Sequence, residues 1–158
     1  MKKIILSLVI LFLAANVCYA QFPIPETTVT ELNTLAADWK SLAKNFGNIS
    51  ERASNLFFWI AIQESRYLKA INTMLTIEIC HINKGQKNKM AVFNLNLYIK
   101  KVLEFIKIDL DGLLKRIPTI ENDSIYRYAI EIRDKLKVTS IFLEKLKGEL
   151  GDYASTIK

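Results

Sequence analysis

The chain has 158 residues, 22 of them Lys or Arg and 16 Asp or Glu, with a formal charge of +6 and aliphatic and aromatic residues making up half of it. That is one domain's worth of sequence with enough apolar material for a core. With one histidine, five glycines and two cysteines, it lacks the raw material for histidine-rich metal sites, glycine-rich phosphate loops or a disulfide framework.

The first twenty residues read as a secretory signal peptide. "MKK" is a basic start, "IILSLVILFLAANV" an apolar stretch of signal length, and "CYA" before Gln21 a cleavage-like end. The apolar run is shorter than the roughly 20 residues that a transmembrane helix needs. A lipoprotein signal using Cys18 is the alternative, although "ANV" before it is a poor lipobox. The expectation is an exported, periplasmic or secreted protein, with residues 21–158 forming a single helical-bundle domain. Loss of Lys2 and Lys3 takes the 22 basic residues to 20 against 16 acidic ones, a net charge of +4. The remaining lysines are dispersed apart from Lys84, Lys87 and Lys89, so no basic stripe announces nucleic acid. Cys80 becomes the only cysteine, so stability rests on the core.

Pro23 and Pro25 hold the lead "QFPIPETT" extended. Thr28-Val-Thr-Glu31 is a capping box, and Leu32, Leu35, Trp39, Leu42 and Phe46 then recur at helical spacing as far as Gly47. Asn48-Ile-Ser-Glu51 is a second capping box opening a helix from about Ile49 to Ile82, on the order of 50 Å long. "NKGQKNK" is a turn. The third helix carries Val92, Leu95, Ile99, Val102, Ile106, Leu110, Leu113 and Ile117 on one face and ends at Pro118. Asn122-Asp-Ser caps the fourth, whose stripe is Ile125, Ala129, Ile132, Leu136, Thr139, Leu143 and Leu146; Gly148 and Gly151 suggest a fraying end. The sequons at Asn48 and Asn122 coincide with these caps and need no sugar to explain them. No segment alternates with period two, so the fold class is all-α: an up-down antiparallel bundle of four helices, the first shorter.

Glu78-x-x-His81 puts a carboxylate and the only imidazole on one helical face. A carboxylate-bridged di-iron bundle needs two such motifs and two further glutamates, and no other ligands come at zinc spacing. Covalent haem would want Cys-x-x-Cys-His, which is absent. Cys80 and His81 are adjacent, so their side chains diverge by about 100° and make no nucleophile–base pair. The pair reads as a helix end, where a histidine suits the dipole. Glu64 and Glu78 fall on the core side of helix 2 with Phe57, Ile60, Tyr67, Ile71 and Met74. Pairing with Arg127 or Arg133 of a neighbouring helix is the expectation, with a ligand or proton site as the alternative. No nucleophile elbow or His-Glu-x-x-His helix occurs. The expectation is a non-enzymatic protein without cofactor or metal.

The excess lies in apolar surface. In "NLFFWIAIQ", Phe57 and Ile60 serve the core while Phe58, Trp59 and Ile62 point elsewhere; helix 3 carries a second set, Leu97, Tyr98, Phe105 and Ile108. These seven are the candidate interaction surface, for a protein partner or self-association. The bland alternative is that helices 2 and 3 are an enclosed pair. A membrane-lying helix would want basic residues opposite the apolar face, and "FFWIAI" holds none.

The lysine-led signal ending in Ala-Gln, the proline-bearing lead and "VTELNTLAADWKSLAKNFGNIS" followed by long disulfide-free helices resemble the periplasmic helical subunits of conjugative type IV secretion systems, the minor-pilus and mating-pair-formation proteins. That resemblance covers about the first 50 residues. It implies a non-enzymatic cell-envelope component of a DNA-transfer apparatus. The runner-up is a small binding module or inhibitor that holds a ligand or partner in a groove lined by Phe58, Trp59 or Tyr98.

Overall fold

The computed structural model describes residues 24–47 and 52–157. The expected signal peptide and the expected capping box at 48–51 lie outside them. The described residues form four helices and no strand: α1, Glu26–Gly47; α2, Arg52–Asn83; α3, Lys89–Arg116; and α4, Asp123–Thr156, with a 3₁₀ turn at Ile117–Thr119 before α4. The chain is an all-α, antiparallel four-helix bundle, as the stripes require.

The ends follow from local chemistry. Asn88 caps α3 by accepting from the Ala91 amide at 3.1 Å, and Asn122 caps α4 by accepting from the amides of Ser124 and Ile125 at 3.0 and 3.2 Å. The α2 terminus is a left-handed glycine stop. Gly85 has φ +74°, its amide donates to the Ile82 carbonyl at 2.8 Å, and the Gln86 amide donates to the His81 carbonyl at 2.9 Å. Pro118 takes the first turn of the 3₁₀ segment, where a missing N–H costs nothing.

Two boundaries differ from the sequence reading. Helix α1 starts at Glu26, ahead of Thr28, because Thr28 already donates its amide to the Pro25 carbonyl at 2.9 Å and is itself buried. Helix α4 does not fray at Gly148 or Gly151. It continues to Thr156 because Leu150, Tyr153 and Ile157 carry the apolar stripe onward into the core. Gly151 also brings α4 close to α3, with Asn96 Nδ2 3.5 Å from where a Cβ would stand.

The bundle consists of two close hairpins, α1–α2 and α3–α4, meeting across a wider α2–α3 seam. Small side chains set the close seams: Ala36 and Ala43 of α1 and Ala61 of α2 are fully buried, and Ser65 Oγ donates to the Ala36 carbonyl at 2.8 Å. Aromatic side chains fill the wide seam. Tyr67 of α2 stacks on Phe105 of α3 with centroids 5.7 Å apart and meets the edge of Tyr98 at 6.4 Å. The fourth side closes where α1 meets α4. Trp39, fully buried, donates its indole N–H to Thr139 Oγ1 at 3.0 Å, and Thr139 donates onward to the Lys135 carbonyl at 2.9 Å. Phe46 packs edge-on against Tyr128 at 5.2 Å, and Lys135 pairs with Asp38 at 3.2 Å on the outside of the same seam.

Candidate functional site

The wide α2–α3 seam holds the most unusual chemistry in the bundle. Glu64 occupies the core side of α2, one helical turn from Leu68, and is fully buried. Neither carboxylate oxygen has a hydrogen-bond partner among the described residues. The expected pairing with Arg127 or Arg133 does not form. Arg133 binds its neighbour Asp134 at 2.7 Å, and Arg127 is exposed on the far side of α4. Reach decides this: a guanidinium crossing the core to Glu64 would displace the packed stripe of α4. Burial, and secondarily the carboxylate of Asp109 across the seam, push the Glu64 pKa up to about 8. Asp109, half-buried on α3, is itself raised by burial. The Tyr98 hydroxyl is raised by burial first, then by Tyr67 and Glu64. The seam therefore joins a carboxyl held neutral at ordinary pH to an aromatic group of Tyr67, Tyr98 and Phe105.

Glu78 lies about four turns further along α2, also buried, with Oε1 3.8 Å from His81 Nδ1. Burial raises its pKa, and His81 pulls it back. Where α2 meets α4 diagonally, Tyr153 is raised by burial and by Glu78. His81 stands in the last turn of α2, and Cys80 beside it is an exposed free thiol. Among the described residues no three Asp, Glu, His or Cys side chains converge as a metal site would require. His81→Ala is expected to change stability by no more than about 0.3–1 kcal/mol, and only where the imidazole is protonated. Thermal unfolding at acid and neutral pH measures this, and a larger loss at neutral pH would reveal a role that the geometry does not provide.

The seven candidate surface residues do not form one patch. Phe58 shares a heptad line with Ser65 and Asn72, which bond to α1, so Phe58 and the nearby Ile62 sit half-buried on the α1 side of α2. Trp59 points outward from α2, its ring edge against Phe58 at 5.6 Å. Tyr98 and Phe105 belong to the α2–α3 seam, Tyr98 half-buried and Phe105 exposed along one edge. Leu97 and Ile108 are exposed on the outer face of α3.

Further apolar surface went unread in the sequence. Val138 and Ile141 of α4 are exposed, and Val138 and Phe142 line a shallow groove of about 320 Å³ with Thr30, Thr34 and Leu35 of α1. Their signal was present as apolar residues off the α4 stripe, but only the bundle geometry shows that α1 leaves them uncovered. On α3, Met90 and Phe93 are exposed as well, and Phe93 joins Asn96, Leu97, Lys100 and Lys147 in a groove of about 330 Å³. No family model, curated protein or solved structure matches the chain.

Proposed function

We propose that this is an exported, non-enzymatic helical-bundle protein that works by binding another protein or a second copy of itself. One observation carries the reading: large apolar side chains stand exposed on the outer faces of three helices, with Trp59 61% and Ile108 65% accessible. A soluble monomer gains nothing from such exposure, and uncovered apolar surface of this extent marks partner sites. From the resemblance of Val29–Ser50 and the lead before it to conjugative envelope subunits, we take the setting to be a DNA-transfer or type IV secretion apparatus in the cell envelope. No helix among the described residues is long and apolar enough to cross a membrane. A second reading, a small binding module or inhibitor, is favoured by the α1–α4 groove of Leu35, Val138 and Phe142. Phe58 sits on the α1 side of α2, Trp59 points outward beside it, and Tyr98 belongs to the α2–α3 seam.

Trp59→Asp tests the first reading. The indole is exposed and off the core, so the folded monomer is expected to keep its helical circular dichroism and melting temperature. Association through the α2 face should weaken at least tenfold, because the change puts a charge where the partner desolvates the site. Sedimentation velocity on wild type and variant decides. A folded variant with unchanged assembly removes Trp59 from the interface.

A further inference from the structure

Between Glu78 and Glu104 the chain carries Lys84, Lys87, Lys89, Lys100 and Lys101 and no carboxylate. The fold gathers this stretch at one end of the bundle. Lys84 and Lys87 are exposed in the α2–α3 turn, and Lys89 opens α3, its Nζ donating to the Ile157 carbonyl at 3.0 Å. The first three turns of α3 then expose Met90 (66%), Phe93 (57%) and Leu97. Their spacing of three and four puts them on one face, turned away from the buried Val92, Leu95 and Ile99. Lys100 and Lys101 follow directly on that face. The carboxylates that α4 brings to this end are Glu144, Glu149 and Asp152. Lys147 holds Glu144 at 2.7 Å and Lys145 holds Glu149 at 3.8 Å, which leaves the exposed Asp152 to set against the five lysines.

We propose that this end of the bundle, the α2–α3 turn with the first three turns of α3, docks peripherally on an anionic lipid surface. Charge complementarity and the interleaved apolar side chains select that occupant. Exposed Met, Phe and Leu can enter the boundary between headgroups and acyl chains. The lysines around them meet the diffuse negative charge of the headgroups. All five cations are lysines, which act as point charges and lack the planar fork that reads bases or phosphates bidentately. A nucleic acid would leave the aliphatic Met90 and Leu97 without a partner. The turn lies at the end of the α2–α3 connection, and the exposed apolar face of α3 runs on from it. This surface is separate from Trp59 and goes beyond the protein-binding reading above.

The test uses residues 21–158, which contain the whole described fold, and co-sedimentation with vesicles of phosphatidylglycerol mixed with phosphatidylcholine or of phosphatidylcholine alone. Binding is expected to the anionic vesicles only, and to fall as salt screens the lysines. Lys84→Gln and Lys87→Gln should each weaken it about fivefold. Met90→Ser with Phe93→Ser should abolish it while leaving the circular dichroism unchanged. Trp59→Asp should bind vesicles like the wild type, so failure of the protein-docking reading stays distinguishable. Absence of binding to anionic vesicles at low salt, or equal binding to neutral ones, overturns the proposal. So does equally tight binding to soluble poly-glutamate that ignores the Met90 and Phe93 changes, which would point to an acidic protein instead.

Discussion

Glu64→Gln is expected to be more stable than the wild type at about pH 9 and nearly equal to it at about pH 4. In the unfolded chain Glu64 titrates near its ordinary value of 4.5, whereas in the bundle its pKa is pushed up to about 8. Below the lower value both states are protonated and the native contribution is complete. As pH rises towards the upper value, the unfolded state gains from ionising while the buried carboxyl cannot. Stability therefore falls across this window and levels off above it. The size of the loss is on the order of 4–5 kcal/mol if burial acts alone. Glutamine removes the titration, and its buried amide is no shorter of partners than the protonated carboxyl it replaces. The net gain at high pH should then approach the whole of that loss, about 4–5 kcal/mol. Urea midpoints followed against pH measure it, with a constant slope confirming that the unfolded state is unchanged. A wild type whose midpoint is flat from about pH 5 to 8 would show that Glu64 ionises freely and that the seam admits water.

The second large effect is at Trp39. Trp39→Ala is expected to lose about 3–5 kcal/mol, because a fully buried indole leaves a cavity between two long helices that cannot collapse onto it. For a domain of this size that is a large share of the total stability. Thr139→Val separates the hydrogen bond from the volume. It keeps the side chain's shape but removes the acceptor that sits 3.0 Å from the indole nitrogen. The orphaned buried N–H should cost about 1–3 kcal/mol. Trp39→Phe, which deletes donor and ring volume together, should fall between the two. If Trp39→Ala melted within a few degrees of the wild type, the α1–α4 seam would be looser than the packing indicates.

Much of this architecture was legible in the sequence, for reasons that differ from element to element. The stripe from Ile125 to Leu146 is buried at all seven positions, Thr139 included. A helix that presents one face to a core must repeat every three or four residues, and the exposed Val138 and Ile141 of α4, off that stripe, do not extend into a second one. The far end was misread because Gly148 and Gly151 are poor helix formers. Tertiary burial of Leu150 and Tyr153 outweighs that propensity. The core position of Glu64 follows from its phase on α2. Its missing partner does not, since pairing depends on how far apart neighbouring helices stand and at what register. The same holds for Trp39 and Thr139, whose bond no local pattern announces. Of the candidate surface residues, Trp59, Leu97, Phe105 and Ile108 are exposed, whereas Phe58, Ile62 and Tyr98 pack half-buried against the core. Their distribution over the α1 side, the α2–α3 seam and the outer face depends on which neighbour each helix has.

The Trp39–Thr139 bond has a consequence for the order in which the protein is made. It joins residues 100 positions apart, whereas the close contacts of α1–α2 and α3–α4 lie within single hairpins. Short loops close cheaply and fast, so each hairpin can assemble as its second helix arrives. The α1–α4 seam must wait for the last helix to be synthesised. Until then the α1–α2 hairpin carries the indole of Trp39 on an uncovered face, beside Phe46. This interval is the time at which the nascent chain is most open to capture by a chaperone or to mispairing with a second copy.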